Sequence, residues 1–99
     1  MRFFVMEKVR TGALVDQKDF MRLASADLEY KRKLEKAGKI VGGPCLDILA
    51  AGYVLETKTI EEMGEVFFGS PANMVLDREV HPLGTFKDSL VGMNELRKK

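Results

Sequence analysis

Three residues stand where their chemistry is out of keeping with their neighbours. Asp27 falls among Phe20, Leu23, Tyr30 and Leu34, which recur at helical spacing. At about 100° per residue its carboxylate belongs to that apolar stripe and not to the opposite, polar side. A carboxylate turned toward a core is costly unless it is paired or keeps its proton, and a group so placed can serve as general acid or base. The bland alternative is an edge position, with Asp27 paired to Lys31 one turn on. Arg78 interrupts the alternate row Met74, Leu76, Val80. If that row faces helices, Arg78 reaches Asp27 across the helix–sheet gap or grips a substrate carboxylate in two-point fashion. Otherwise it snorkels from an edge. His81 shares the other row with Asp77 and Glu79, because successive strand residues alternate faces. A His beside carboxylates shuttles protons near neutral pH, although such a row equally lines solvent or an interface. One His and two acids along a single strand make a poor metal site.

Four further features carry less. Tyr30 and Tyr53 have an apolar ring and a polar tip, suited to lining a pocket or to filling a core. Cys45 has no base or cation near it in sequence and reads as a small buried hydrophobe. Gly42-Gly43 belongs to no phosphate-cradling pattern, so neither a cofactor nor a metal is expected. The Lys- and Arg-rich stretch 31–39 reads as a solvated helix face.

The elements that must position these residues follow from periodicity and punctuation. Residues 2–9 read as a strand with apolar residues on both faces, ended by Thr11-Gly12. Asp16 caps a helix over 17–37, with Asp19 in its first turn and Gly38 as its stop. Residues 39–49 are extended but broken at Gly42-Gly43-Pro44, which suggests a bulge or an edge. Ala50-Ala51-Gly52 reads as a hairpin turn and 53–57 as the returning strand. Thr59 and Glu62 form a capping box for a helix running to Phe68, its inner face Ile60, Met63 and Phe67, stopped at Gly69-Ser70-Pro71. A last strand covers 74–81 and ends at Pro82 and Gly84. The tail 86–99 places Leu90, Met93 and Leu96 at near-helical spacing and reads as a short helix. The order β-α-β-β-α-β is the split βαβ, or ferredoxin-like, α+β arrangement: a four-stranded antiparallel sheet with two helices on one face.

Composition narrows the rest. Ninety-nine residues make one domain, and 45% apolar with 31% charged residues is a globular balance. Sixteen basic against fifteen acidic residues leave a net charge of +1, too little for a nucleic-acid-binding surface. No apolar run is long enough to span a membrane, Phe3-Phe4-Val5-Met6 is too short for a signal-peptide core, and one Cys forms no internal disulfide. A cytoplasmic location is expected. A small domain with six Met and six Phe, and one sheet face without helices, points to a second subunit over that face.

Some of these residues resemble known families. Asp27 to Lys39 followed by Gly43-Pro44, with Pro71 and Glu79-Val80-His81-Pro82, is similar to the YCII-related proteins. The same span, with Leu34 and Gly38, Gly52-Tyr53, Glu62 and Asp77-Arg78-Glu79-Val80, resembles muconolactone isomerase. The resemblance covers residues 1–85 and implies a dimeric α/β barrel, forming a homodimer or an assembly of dimers. YCII-related proteins usually carry a His at the place of Asp27, paired with a later Asp; Asp47 stands near that later position. In muconolactone isomerase a first-strand His falls where this chain has Phe4.

Two functions follow. The first is a cofactor-independent enzyme moving a proton on a small carboxylated or lactone-like metabolite. Asp27, Arg78 and His81 would be its catalytic residues, and Tyr30, Asp47 and Tyr53 would bind substrate. The second is a non-catalytic ligand-binding or assembly module on the same fold. A cavity of a few hundred Å³ between the first helix and the sheet, lined by Asp27 and Arg78, separates them.

Overall fold

A computed structural model describes residues 1–10, 12 and 15–98. Strand β1 (Arg2–Val9) leads to helix α1 (Gln17–Lys36), strands β2 (Ile40–Pro44) and β3 (Ala50–Glu56), helix α2 (Ile60–Phe68), strand β4 (Leu76–Leu83) and helix α3 (Phe86–Arg97). The sheet is antiparallel throughout, in the order β2-β3-β1-β4. This is the ferredoxin-like α+β fold that the element order implies. Val5 and Leu55, fully buried on the two central strands, anchor a core with Phe3, Ile40, Tyr53 and Val66. Leu34 of α1 and Met63 and Phe67 of α2 close over it.

Local chemistry sets the helix starts. Asp16 accepts a hydrogen bond from the Asp19 amide at 2.7 Å, and Thr59 accepts one from Glu62 at 3.1 Å. The Glu62 carboxylate takes the Lys58 amide at 2.9 Å, and that bond holds its pKa below the ordinary value. Gly38, in the left-handed region at φ 75°, ends α1. Gly12 turns at φ 80°; Thr11 before it lies outside the described residues, as does Lys99 at the end of the tail.

Three expectations are corrected. Ala50-Ala51-Gly52 is not a turn: it opens β3 and pairs with Lys8, Glu7 and Met6. The turn is the five residues 45–49, closed by the Cys45 amide donating to the Ala50 carbonyl at 2.8 Å. Cross-strand pairing to β1 outweighs the turn-like composition. Ile60 is not on the inner face of α2 but exposed; Val66 takes the buried position. The last strand starts and ends two residues later than expected, with Asn73–Val75 as a 3₁₀ turn and Pro82 inside the ladder opposite Phe3. β4 is an edge strand, where proline's missing donor is tolerated. β2 is the other edge, so the Gly42-Gly43-Pro44 break marks an edge and not a bulge. Gly42 itself is required: at φ 149° a Cβ would collide with the Gly52 carbonyl oxygen.

Candidate functional site

The inward row of β1 is Phe3, Val5, Glu7, Val9, and that of β4 is Leu76, Arg78, Val80. Register puts Glu7 opposite Arg78 on adjacent strands. Arg78 Nε donates to Glu7 Oε2 at 2.6 Å, and the guanidinium also donates to Asn73 Oδ1 at 2.8 Å. Its Cζ lies over the Phe67 ring, 4.5 Å from the centroid, a cation–π contact. From above, α1 lowers Lys31, whose Nζ stands 2.7 Å from Glu7 Oε1. That is ion-pair distance but off the hydrogen-bond line, so Oε1 accepts no hydrogen bond. The same Nζ donates to Asp27 Oδ2 at 2.5 Å, and Ser70 Oγ donates to Asp27 Oδ1 at 2.6 Å.

The result is a buried chain of partners: Ser70, Asp27, Lys31, Glu7, Arg78, Asn73. Asp27 is 8% exposed and Glu7 1%. Two carboxylates alternate with two cations, so the group is neutral as a whole. Neutrality and short contacts are what make such a cluster tolerable away from water. Tyr53 lies beneath it with its hydroxyl buried and unpaired. Burial, and then the Glu7 charge, push that phenol's pKa far up. Tyr30 has a different duty. Its hydroxyl donates to the Val66 carbonyl at 2.6 Å and ties α1 to α2. Burial and the Asp27 charge raise its pKa as well. Gly69 is the residue that lets this ring in, since a Cβ there would meet the Tyr30 hydroxyl at 2.5 Å.

Between α1 and the β2–β3 hairpin lie two adjoining hollows of about 190 and 270 Å³. Asp27, Leu28, Pro44 and Ala51 wall both. The first continues to Lys31, Arg32 and Tyr53; the second is floored by Glu7 and walled by apolar residues such as Phe20, Ile48 and Leu49. Asp27 is thus the one titratable side chain shared by both.

Of the residues singled out in the sequence, Asp27, Arg78 and Tyr53 come together here. Arg78 does not reach Asp27 and lines neither hollow; Glu7, directly opposite it, takes its charge. Asp27 is buried and also paired with Lys31, so the two readings of that residue are both in part met. Tyr30 stands at the helix–helix contact. Asp47 is exposed in the 45–49 turn, and His81 is exposed on the far sheet face, 3.6 Å from Glu79. Neither is brought to the cluster. Glu7, Ser70 and Asn73 were missed. Glu7 carried a signal: it interrupts the row Phe3, Val5, Val9 as Arg78 interrupts its own. Among the described residues no group of three or more His, Cys, Asp or Glu is placed to hold a metal ion. None of their helices is long and apolar enough to cross a membrane.

This architecture is shared with solved structures. Muconolactone isomerase matches with a TM-score of 0.75 and 20% identity, over 86% of this chain and 90% of that one. The 5-chloro-2-hydroxyhydroquinone dehydrochlorinase TftG of Burkholderia phenoliruptrix AC1100, solved with 2,5-dihydroxybenzoquinone, matches at 0.67 and 23% identity, over 89% of this chain and 98% of that one. The likeness to muconolactone isomerase anticipated from short motifs is therefore a likeness of fold. No family model matches the chain, and a search of curated proteins finds no match.

Proposed function

We propose that this protein is a small cofactor-independent enzyme that moves a proton on a carboxylated or lactone-like metabolite held in the cleft under α1. One observation carries the reading: Asp27, nearly dry, borders both hollows while Ser70 and Lys31 hold its carboxylate in place. A fixed carboxylate at the junction of two compartments is positioned as a general base or acid for a ligand occupying both. Lys31, 13% exposed at its side chain and lining the first hollow, is a cation held in place to meet an oxyanion formed there. Arg78 is a positioning residue: it holds Glu7, and Glu7 holds Lys31. Tyr53 lines the substrate end. The fold shared with an isomerase and a dehydrochlorinase supports small-molecule chemistry of this kind. We further assign a second copy to the open sheet face, making a cytoplasmic homodimer. There Phe4 and Val41 stand exposed.

The test is solvent-deuterium exchange, followed by proton NMR, on a panel of lactones and keto acids with acidic C–H bonds. Asp27→Asn should keep the far-ultraviolet spectrum and lose exchange, because the amide preserves shape but carries no transferable proton. Exchange that survives in Asp27→Asn overturns the catalytic reading. A second reading, a binding or assembly module, draws on one fact: both oxygens of Asp27 already have donors. Saturable ligand binding without exchange would favour it.

A further inference from the structure

The two hollows under α1 meet at Asp27 but differ in what they can hold. The second, about 270 Å³, has the buried Glu7, Ala72 and Val75 in its lining, with Phe20 and Ala24 of α1. No Lys or Arg lines it. Its two charged side chains, Glu7 and Asp27, are both carboxylates, and each already has Lys31 beside it. Every other lining side chain is apolar. A ligand anion placed there would face like charge with no cation to answer it. An uncharged hydrocarbon group meets the opposite case and gains from leaving water.

Volume sets its size. An apolar cavity of about 150 Å³ accepts one benzene ring, roughly 25 Å³ per carbon. At that scale the second hollow takes about ten carbons. Met21 and Leu49 line it and are exposed, so it opens to water, and a longer arm runs out of it.

The first hollow, about 190 Å³, is the polar end. Lys31 and Arg32 line it with Asp27 and Glu35. Both cations are committed: Lys31 to Asp27 at 2.5 Å and to Glu7 at 2.7 Å, Arg32 to Glu35 at 2.5 Å. Two charges of each sign leave the lining neutral, and a ligand carboxylate finds no free cation in it. An ammonium has three donors, however. Lys31 gives one to Asp27, and its approach to Glu7 is off the hydrogen-bond line. A donor is left for the oxygen of a neutral carbonyl.

We propose that the substrate is an uncharged carbonyl compound with an apolar arm. A lactone or ketone head sits beside Lys31 and Asp27, and an alkyl or aryl arm of about six to ten carbons fills the second hollow. Phe20 and Ala24 are then the residues that set the length of the arm. The proposal rests on the proton-transfer reading of the cleft and narrows its substrate to the uncharged, long-armed class.

The test is a series of γ-lactones whose alkyl arm grows from one carbon to twelve, with binding to the full chain followed by ligand-detected NMR titration. Each methylene should tighten binding about two- to fourfold, and the gain should stop once the arm reaches about ten carbons. The same lactones with a carboxylate ending the arm should bind roughly tenfold or more weakly than their methyl-ended twins. Ala24→Phe puts a ring into the second hollow and should flatten the series, with its far-ultraviolet spectrum kept. The readout is the slope with arm length, so a general loss of affinity does not imitate it. Affinity independent of arm length in the parent overturns the proposal. So does a slope that survives in Ala24→Phe, or a carboxylate-ended arm that binds as well as its twin. The proton chemistry fails separately: the expected slope with no deuterium exchange in any member sinks the catalytic role of Asp27 and leaves the ligand class standing. Exchange confined to carboxylated, short-armed ligands does the reverse.

Discussion

On the side of the sheet that carries α1 and α2, β1 presents Phe3, Val5, Glu7 and Val9 and β4 presents Leu76, Arg78 and Val80. On the other side the same two strands present Arg2, Phe4, Met6 and Lys8, then Asp77, Glu79 and His81. The covered side buries four charges and satisfies each with an opposite charge at 2.5 to 2.7 Å. The open side leaves aromatic and aliphatic surface exposed, and its His81–Glu79 pair stands 3.6 Å apart in water. Exposed ion pairs contribute little, whereas buried ones are expensive to assemble and more expensive to break. A sheet built this way spends its stability on keeping charges dry under α1.

The largest effect should come from breaking the covered side at its centre. Glu7→Leu leaves Arg78 and Lys31 without their shared carboxylate, and stability should fall by about 3–5 kcal/mol in urea unfolding. Removing Arg78 as well, in Glu7→Leu with Arg78→Leu, should recover part of that loss through a coupling of about 0.5–3 kcal/mol. Met6→Leu, the neighbouring residue on the open side, should stay within roughly 0.5 kcal/mol. If Glu7→Leu costs no more than Met6→Leu, the two faces do not differ as described.

Ser70→Ala probes the end of the same chain of partners. Asp27 would keep Lys31 but lose the donor to Oδ1, and a buried acceptor left without its donor costs about 1–3 kcal/mol. A variant as stable as the parent would mean that water reaches Asp27.

The tyrosines sharpen the contrast by pH. The chain has two Tyr and no Trp, so tyrosinate absorbance reports on Tyr30 and Tyr53 alone. Both have pKa values raised above 10.0, by burial first and by the nearby carboxylates next. A raised folded value contributes stability that is complete below pH 10 and is lost as pH climbs through the folded pKa. Folded protein at pH 10 should therefore show little tyrosinate, and urea-unfolded protein at the same pH about half. Equal absorbance in the two states would mean that the cluster is wet.

How much of this was legible depended on whether a residue's local pattern reported its surroundings. Asp16, Thr59 and Gly38 act within one turn, so caps and stops read directly. Asp27 and Arg78 were visible because each breaks an apolar row that local periodicity defines. Glu7 breaks such a row too. It was hidden because Phe4 and Met6 on the opposite side made all of β1 read as apolar, and only the register with β4 shows Arg78 facing it. The hairpin turn was misplaced for a related reason. Ala50-Ala51-Gly52 has the small residues of a turn, but those residues permit close packing against β1, and the true turn is rich in Leu and Ile. Ser70 and Asn73 look like loop residues in sequence. Their roles exist only because α2 ends beside Asp27 and Arg78.

The smallest expected effect is at His81, and it tests where the site ends. The imidazole is the chain's single one and shares its strand row with two carboxylates, Asp77 and Glu79. It points to the side of the sheet away from α1, opposite Phe4 in register, with its side chain 62% exposed. A group that faces away from both hollows has no path to a ligand under α1 except through the sheet, whose core side is filled by Val5, Leu55 and Tyr53. Within the single chain its pairing with Glu79 is long and exposed, so it adds at most about 0–1 kcal/mol. His81→Ala should therefore leave urea stability within roughly 0.5 kcal/mol. Proton exchange on any ligand that Asp27→Asn abolishes should likewise be unchanged. A loss of exchange in His81→Ala with mass and fold intact would break the comparison outright. It would require a ligand on the open side of the sheet and return the chemistry to the row Asp77, Glu79, His81. A loss of exchange accompanied by a fall in mass would instead place His81 at the contact between copies, and would leave Asp27 as the group that moves the proton.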